Sequence, residues 1–408
     1  MKILIISQYF PPESSTIAAT IAQDMAYRGH EVRVLTGFPN YPHGKIFDGY
    51  EQNWRQFERH GDVDVLRVPL YADHSLNPVA RAANYVSFGL SAATARSFAK
   101  DVDVIYVYAT QMTPALGPWL WRMFGGTPYV LHVQDLWPDS ITGSSLVNDS
   151  RAGKMIDAAL NPWLRSVYRR ADGVIGIAPS MVETLIDRGA CAERTNLVYN
   201  WASEDDPVDH RPRPDSDQRA RFLYAGNIGD MQDVETIVRA AKLAEDAPVK
   251  VTLIGGGVAK DRVLAVAEEV GASNVEFLDP VPHAEMADVY AEADFSLVTL
   301  TDLPNFRATI PSKFQSSLAE GLPVVTTVQG DLRGLVDDLD LGFTAEAENP
   351  ESLAQAMRDA AALDRAEYDA LRARARDTYY QEFSMHPGLD AIEHVLLSAA
   401  GARQPQHH

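Results

Sequence analysis

Seven apolar runs of strand length alternate with helical stretches in the first half of the chain: KILIIS (2–7), EVRVLT (31–36), DVDVLRVP (62–69), DVDVIYVYA (101–109), TPYVLHVQD (127–135), GVIGIAPS (173–180) and NLVYNW (196–201). Runs this apolar are hidden on both faces, the condition of a strand inside a parallel sheet covered by helices. Between the first two, Ile17, Ile21 and Met25 recur at four-residue spacing on one helical face, and Gly29 follows Arg28 where a left-handed C-terminal cap is expected. The opening of the chain therefore reads as a β-α-β unit.

The rhythm stops at EDDPVDHRPRPDSDQ (204–218), which has three prolines, many charges and little to bury. It reads as an interdomain linker. The alternation then restarts with RFLYAGNI (221–228), VKVTLIGGG (249–257), NVEFLD (274–279), FSLVTL (295–300), PVVTTV (323–328) and LGFTAE (341–346). A length of 408 residues, at about 150 per domain, also fits two domains. The expected organisation is a first domain over 1–203, the linker over 204–218, a second domain over 219–385, and over 386–408 a helix returning to the first domain plus a tail. The final QPQHH is left out of the fold reading. The fold class expected is α/β, with two doubly wound domains facing across a cleft and ligands bound in the loops after the strand carboxyl ends.

With 56 Asp and Glu against 36 Lys and Arg, the formal charge is −20, and such a molecule repels the nucleic-acid backbone. Any phosphate it binds must meet a local cationic patch. Cys191 is the single cysteine, which excludes an intramolecular disulfide and a cysteine zinc cluster and fits a reducing cytoplasm. KILIIS is too short for a signal peptide, and no apolar run approaches the roughly 20 residues of a spanning helix. Membrane contact, if made, is expected to be peripheral.

In the second domain, TIPSKFQSSLAEG (309–321) signals a helix start with Ser312 as its expected cap, Thr309, Ile310, Pro311 and Lys313 at its mouth, and Ser316 one turn on. Free N–H groups, the helix dipole and an ammonium converge there, which suits a diphosphate, with Arg307 near enough in sequence to add charge. The plainer reading is a capped helix with a solvated lysine. LYAGNIGD (223–230) offers Gly226, Asn227 and Gly229 at a strand end, and LIGGG (253–257) offers Gly255 and Gly256 before a helix carrying Lys260. Val281, past the following strand, joins the same expected donor-side set. Either glycine loop alone is an ordinary tight turn, but three such features in one domain point to a nucleotide site. Neither completes the dinucleotide G-x-G-x-x-G spacing.

In the first domain, SQYFPPESS (7–15) places Pro12, Glu13 and Ser14 before a helix, where they can bind a hydroxyl or phosphate or simply cap it. GFPNYPHGKIFDGY (37–50), with His43, is either an acceptor-side loop or a long ordered one. HVQDLWPDS (132–140) gathers His132, Gln134, Asp135, Trp137 and Asp139 at a strand end. Alternation keeps His132 within the strand and favours a structural role, so Asp135 is the expected contact for a reacting sugar. Two basic islands, Arg81, Arg96 and Lys100 in 77–100 and Arg165, Arg169 and Arg170 in 161–172, read first as domain helices, with contact to anionic lipid as the alternative.

Taken in order, QYFPPE (8–13), YPHGKIFDGY (41–50), HVQDLWPDS (132–140), AGNIGDMQD (225–233) and TIPSKFQSSLAEG (309–321) resemble the family four glycosyltransferases of GT-B fold, over nearly the whole chain. Within that family the segments are most similar to the bacterial N-acetyl-L-fucosaminyltransferase branch of capsule and O-antigen assembly. The resemblance implies two Rossmann-like domains. It also implies a retaining transfer of a sugar, an amino or deoxy sugar on a UDP-linked donor, to a lipid-linked or other glycan acceptor, with no metal or other cofactor required. The donor belongs on the C-terminal domain and the acceptor on the N-terminal one, in the cytoplasm with peripheral contact at the inner membrane face. Lys313 and Arg307 are then expected to stabilise the departing diphosphate and Asp135 to orient the sugar or handle a proton, while Pro12, Glu13, Ser14, His43, His132 and Trp137 face the acceptor.

The chain departs from the broader family pattern in several places. Ala308 and Ser316 stand where two glutamates separated by seven residues are usual, Asn227 and Gln232 where an arginine and a lysine are, and Gln134 where a histidine is often found. The diphosphate then rests on fewer cations, and Ser316 holds a ribose more weakly than a carboxylate. A UDP-N-acetylglucosamine 2-epimerase and an inactive nucleotide-sugar-binding homologue are the alternatives, and an NAD-dependent dehydrogenase is disfavoured by the incomplete fingerprint.

Overall fold

A computed structural model describes residues 1–13, 16–75, 77–138, 151–202, 204, 211, 218–282 and 285–401. Ser14, Asp139 and most of the 204–218 segment lie outside the described residues. The chain divides into two units, Met1–Val198 together with Leu389–His408, and Tyr199–Gly388.

The first unit is an eight-stranded sheet of β1 (Lys2–Ser7), β2 (Glu31–Gly37), β3 (Gln56–His60), β4 (Val63–Val68), β5 (Val104–Ala109), β6 (Tyr129–Val133), β7 (Gly173–Gly176) and β8 (Thr195–Leu197), in spatial order β3-β4-β2-β1-β5-β6-β7-β8. Every pairing is parallel except β3 with β4. Ile3 to Ile6 and all of β5 are buried, as strands covered on both faces must be. The helices are α1 (Thr16–Tyr27), α2 (Pro78–Ala93), α3 (Leu116–Met123), α4 (Arg151–Arg170) and α5 (Pro179–Asp187). Gly29 ends α1 at φ 87°, the left-handed turn read from its place after Arg28. β3 was not expected. It is an antiparallel edge strand whose residues alternate between half-buried and exposed, so it lacks the apolar run that marks the others.

The second unit is a six-stranded parallel sheet of β9 (Ala220–Ala225), β10 (Val249–Ile254), β11 (Val275–Leu278), β12 (Phe295–Val298), β13 (Val324–Thr326) and β14 (Gly342–Thr344), ordered β11-β10-β9-β12-β13-β14. Its helices are α6 (Val234–Leu243), α7 (Lys260–Val270), α8 (Met286–Ala291), α9 (Ser312–Ala319), α10 (Asp331–Asp338), α11 (Pro350–Ala361) and α12 (Arg365–Thr378). Phe222 stacks on Phe295 at 5.2 Å and Tyr368 meets Phe295 edge-on at 5.5 Å, so one aromatic column ties the sheet to α12. The sheet order reverses about β9, the position at which an open α/β sheet leaves a crevice for a ligand. The last helix, α13 (Met385–Ala399), contributes its residues from Leu389 onward to the first unit.

Candidate functional site

The β9 and β10 strands of the second unit run side by side and each is followed directly by a glycine. Gly226 has φ 137° and Gly255 φ 152°, and a Cβ on Gly255 would lie 1.8 Å from the Gly226 carbonyl oxygen. Only glycine permits two loops this close. Ile228 N–H donates to the Gly256 carbonyl at 2.8 Å and Ala259 N–H to the Ile228 carbonyl at 3.0 Å, locking the turns together. Beside them lies a cavity of about 470 Å³ lined by Gly226, Asn227, Gly255, Gly256 and Val281 among others. Five residues scattered over 56 positions of sequence thus meet at one wall.

Lys313, in the first turn of α9, points toward the same loop. Its Nζ sits 3.7 Å from the centroid of the Tyr224 ring, and a Cβ on Gly226 would be 2.7 Å from its Cε. Burial pulls the ammonium down to about 7, and among the described residues no carboxylate pairs with it. The helix behind it carries no side-chain cap at its N-terminus; Phe314 N–H donates to the Pro311 carbonyl at 2.9 Å, and the Ser312 and Lys313 N–H groups and the cation face one anion. Tyr224, which sequence reasoning missed, holds this geometry by donating its hydroxyl to the Asn227 carbonyl at 2.5 Å. Its signal was a tyrosine two residues before a strand-end glycine.

Other expected donor-side residues are used differently. Pro311, extended at φ −62° and ψ 139°, occupies the N-cap of α9, and Ser312 is already helical and exposed, so Ser312 is not the cap. The proline ring cannot accept a hydrogen bond, which is why the helix mouth stays open. Thr309 is extended just after the 3₁₀ turn Pro304–Ala308, and Ile310 is buried. Arg307 is exposed and held by Asp302 through two bonds of 3.0 and 2.8 Å, a fork matched to a carboxylate five residues away rather than aimed at a phosphate. Lys260 is paired with Asp279 at 2.9 Å. Ser316 shares a hydrogen bond with the Tyr290 hydroxyl, whose pKa burial pushes up to about 12. Gly229 lies apart from the cavity, against the Gln232 and Asn227 side chains. These two amides are themselves bonded at 3.1 Å.

In the first unit, Glu13 is buried and accepts from the backbone N–H groups of Asn40 and Tyr41 at 2.8 Å each and of Phe10 at 3.1 Å. It is a clasp between two loops, not an acceptor contact; burial raises its pKa although the three N–H bonds oppose this. Pro12 is exposed after a cis peptide bond. His43 is exposed too, and the histidine that joins the local aromatics is His74, 5.0 Å from Tyr41 and 5.9 Å from Tyr9. His132 is fully buried, bonded through Nδ1 to the Tyr106 hydroxyl, and desolvation holds it near 3, neutral and structural. Trp137 is buried against Tyr85 at 6.1 Å, and its carbonyl accepts from Arg188. Asp135 follows β6 and its side chain reaches solvent, yet the protein around it raises its carboxyl above the usual range. That exposure keeps the shift modest in consequence. Arg81 of α2 completes this edge, 3.4 Å from the Tyr85 hydroxyl.

Comparison with known proteins places both halves. Residues 14–201 match the family described as Glycosyl transferase 4-like domain, and residues 219–362 match Glycosyl transferases group 1. A putative colanic acid biosynthesis glycosyl transferase, WcaI of Escherichia coli K12, is 29% identical over 381 residues, covering 89% of this chain and 93% of that one. A probable glycosyltransferase of Pseudomonas aeruginosa, WbjE, is 24% identical over 67% of this chain and 70% of its own. Among solved structures, sucrose-phosphate synthase from Thermosynechococcus elongatus aligns with a TM-score of 0.67 at 16% identity, over 97% of this chain and 98% of its own. Anabaena HepE, in complex with UDP and glucose, aligns with a TM-score of 0.62 at 18% identity, over 98% and 100% of the two chains.

Proposed function

Two glycosyltransferase domains in tandem on a GT-B fold make this chain a GT-B glycosyltransferase, and on that premise we propose that it moves a sugar from a UDP-linked donor to a lipid-linked glycan in cell-surface polysaccharide assembly. The observation that carries the donor half is Lys313, a half-buried ammonium with no carboxylate partner among the described residues, set at an uncapped helix mouth beside a glycine-walled cavity. A buried charge left uncompensated costs stability unless an anion completes it. A donor diphosphate is the anion such a site suits. The relative named for colanic acid biosynthesis supports the polysaccharide setting, and the UDP complex of HepE supports the nucleotide. The segments shared with N-acetyl-L-fucosaminyltransferases support an amino or deoxy sugar.

In this reading the bond between sugar C1 and the diphosphate oxygen breaks while C1 bonds to the acceptor hydroxyl on the same face, with retention and without a metal. The acceptor proton leaves on the departing phosphate. Lys313 and the first-turn N–H groups of α9 take up the charge that develops there. Asp135 orients the sugar or handles a proton. The enzyme works in the cytoplasm, at the inner membrane face.

Thermal unfolding with UDP, GDP, ADP, CMP and NAD tests the donor. UDP at about 100 times its Kd should add about 2.7 kcal/mol, with the other nucleotides nearly silent. Lys313→Ala should abolish that shift and slow transfer by about a hundredfold or more. A full UDP shift in the folded variant overturns the assignment. Addition of EDTA should leave the rate unchanged.

A further inference from the structure

The α2 helix buries Asn84, Phe88 and Ala92 and turns the opposite face outward. At helical spacing that outer face carries Val79, Ala82, Ala83, Val86 and Leu90, with Val79, Val86 and Leu90 exposed by 77%, 50% and 56%. An outer face with no polar residue over three turns is the reverse of a solvated helix. Exposed Trp54 and Phe57 join it at the C-terminal end, where the Arg55 guanidinium lies 4.4 Å from the Trp54 ring and bonds to Thr94. Residues 77–100 contain no Asp or Glu in a chain of net charge −20, while Arg55 lies at the C-terminal end of the stripe and Arg96 and Lys100 follow it, none ion-paired among the described residues. Apolar side chains framed by cations and a tryptophan match an anionic bilayer surface, where the chains enter the headgroup boundary and the cations stay with the phosphates. The other basic helix, α4, lacks this combination: Arg165, Arg169 and Arg170 are exposed, but no large apolar side chain of residues 161–170 is.

We propose that the outer face of α2, and not the basic end of α4, docks the enzyme on anionic lipid. The inner side of the same helix reaches the sheet-edge site. Asn84 accepts from Gln8 at 2.7 Å and donates to the Tyr71 carbonyl at 2.7 Å, and Arg81 sits beside Tyr85 and Tyr9. A docked α2 therefore holds Arg81 and the adjacent Tyr9 about one helix diameter from the headgroup plane, within reach of a lipid-linked glycan. This deepens the lipid-linked acceptor half of the proposed function and is independent of the donor half.

The test is flotation with vesicles of about one part phosphatidylglycerol to three parts phosphatidylethanolamine, beside vesicles of phosphatidylcholine alone. The intact chain should float with the first and about tenfold less with the second. Val86→Ser with Leu90→Ser should cut binding about tenfold, and Arg169→Glu with Arg170→Glu should not. Because Val86 and Leu90 are exposed, the folded state survives, and an unchanged UDP-induced thermal shift checks this and keeps the donor site out of the result. Flotation lost in the α4 variant but kept in the α2 variant overturns the proposal. So does absence of flotation in the intact chain, or a concentration-dependent dimer that the α2 substitutions dissociate, which would assign the stripe to a second copy.

Discussion

At the scale of single residues, Lys313 sets a pH dependence. Its folded pKa, about 7, lies below the ordinary lysine value of 10.5, so between those limits the unfolded chain binds more protons than the empty enzyme. The stability of the empty enzyme should therefore rise with pH across that window, and the cost of the buried ammonium is fully present below it. A bound diphosphate pulls the pKa back up, so binding takes up a proton and UDP affinity should fall by up to about tenfold per pH unit above pH 7. Calorimetry in buffers of different ionisation enthalpy measures that uptake, and Lys313→Met should erase it. Arg307→Ala, by contrast, should change UDP affinity less than about threefold, since its guanidinium already answers Asp302 and an exposed pair is worth little. Asp135→Asn should leave UDP affinity intact and lower turnover by about tenfold or more. The place of Lys313 in the first turn of a helix was legible, because Pro311 before it marks a helix start. Arg307 was not, because nothing in the sequence shows that a short 3₁₀ turn returns it to Asp302. Glu13 looked like a ligand for a related reason: the loop that supplies its Asn40 and Tyr41 partners lies 27 residues away.

At the scale of elements, two neighbouring glycines separate fold from function. Gly255→Ala drives a methyl into the Gly226 carbonyl and should cost about 2–4 kcal/mol of stability in denaturant unfolding. Gly256→Ala meets nothing nearer than the Pro280 ring at 3.5 Å, so unfolding should barely change. Its methyl enters the cavity wall, and UDP affinity should drop about tenfold. Strands were legible wherever both faces are buried, and β1 begins and ends where its apolar run does. β3 escaped because four of its five residues, Gln56, Glu58, Arg59 and His60, are polar and only Phe57 is apolar. The start of α9 was misread by one residue, since Ser312 is a good cap in isolation but the extended Pro311 before it takes that position.

At the scale of the molecule, Leu389, Ile392, Val395 and Leu396 of α13 are buried in the first unit, and Val395 packs where Gly173 of β7 leaves room. Arg28, at the end of α1, bonds Asp390 at 2.6 Å and Glu393 at 2.7 Å, and His30 meets Glu393 at 2.7 Å. Ending the chain after Gly388 should remove about 1.5–3 kcal/mol for each buried side chain. Calorimetry should show the melting transition of the first unit falling while that of the second stays in place. The return of the terminal helix was read from the sequence, but not what holds it, because its partners Arg28 and His30 lie more than 350 residues away in sequence. The same arrangement bears on synthesis. The second unit is whole once Gly388 has emerged from the ribosome, whereas the first, although made earlier, waits for the last helix to be translated. The first unit is thus begun before the second and finished after it, and chaperones should hold its α1 and β7 surfaces in the interval.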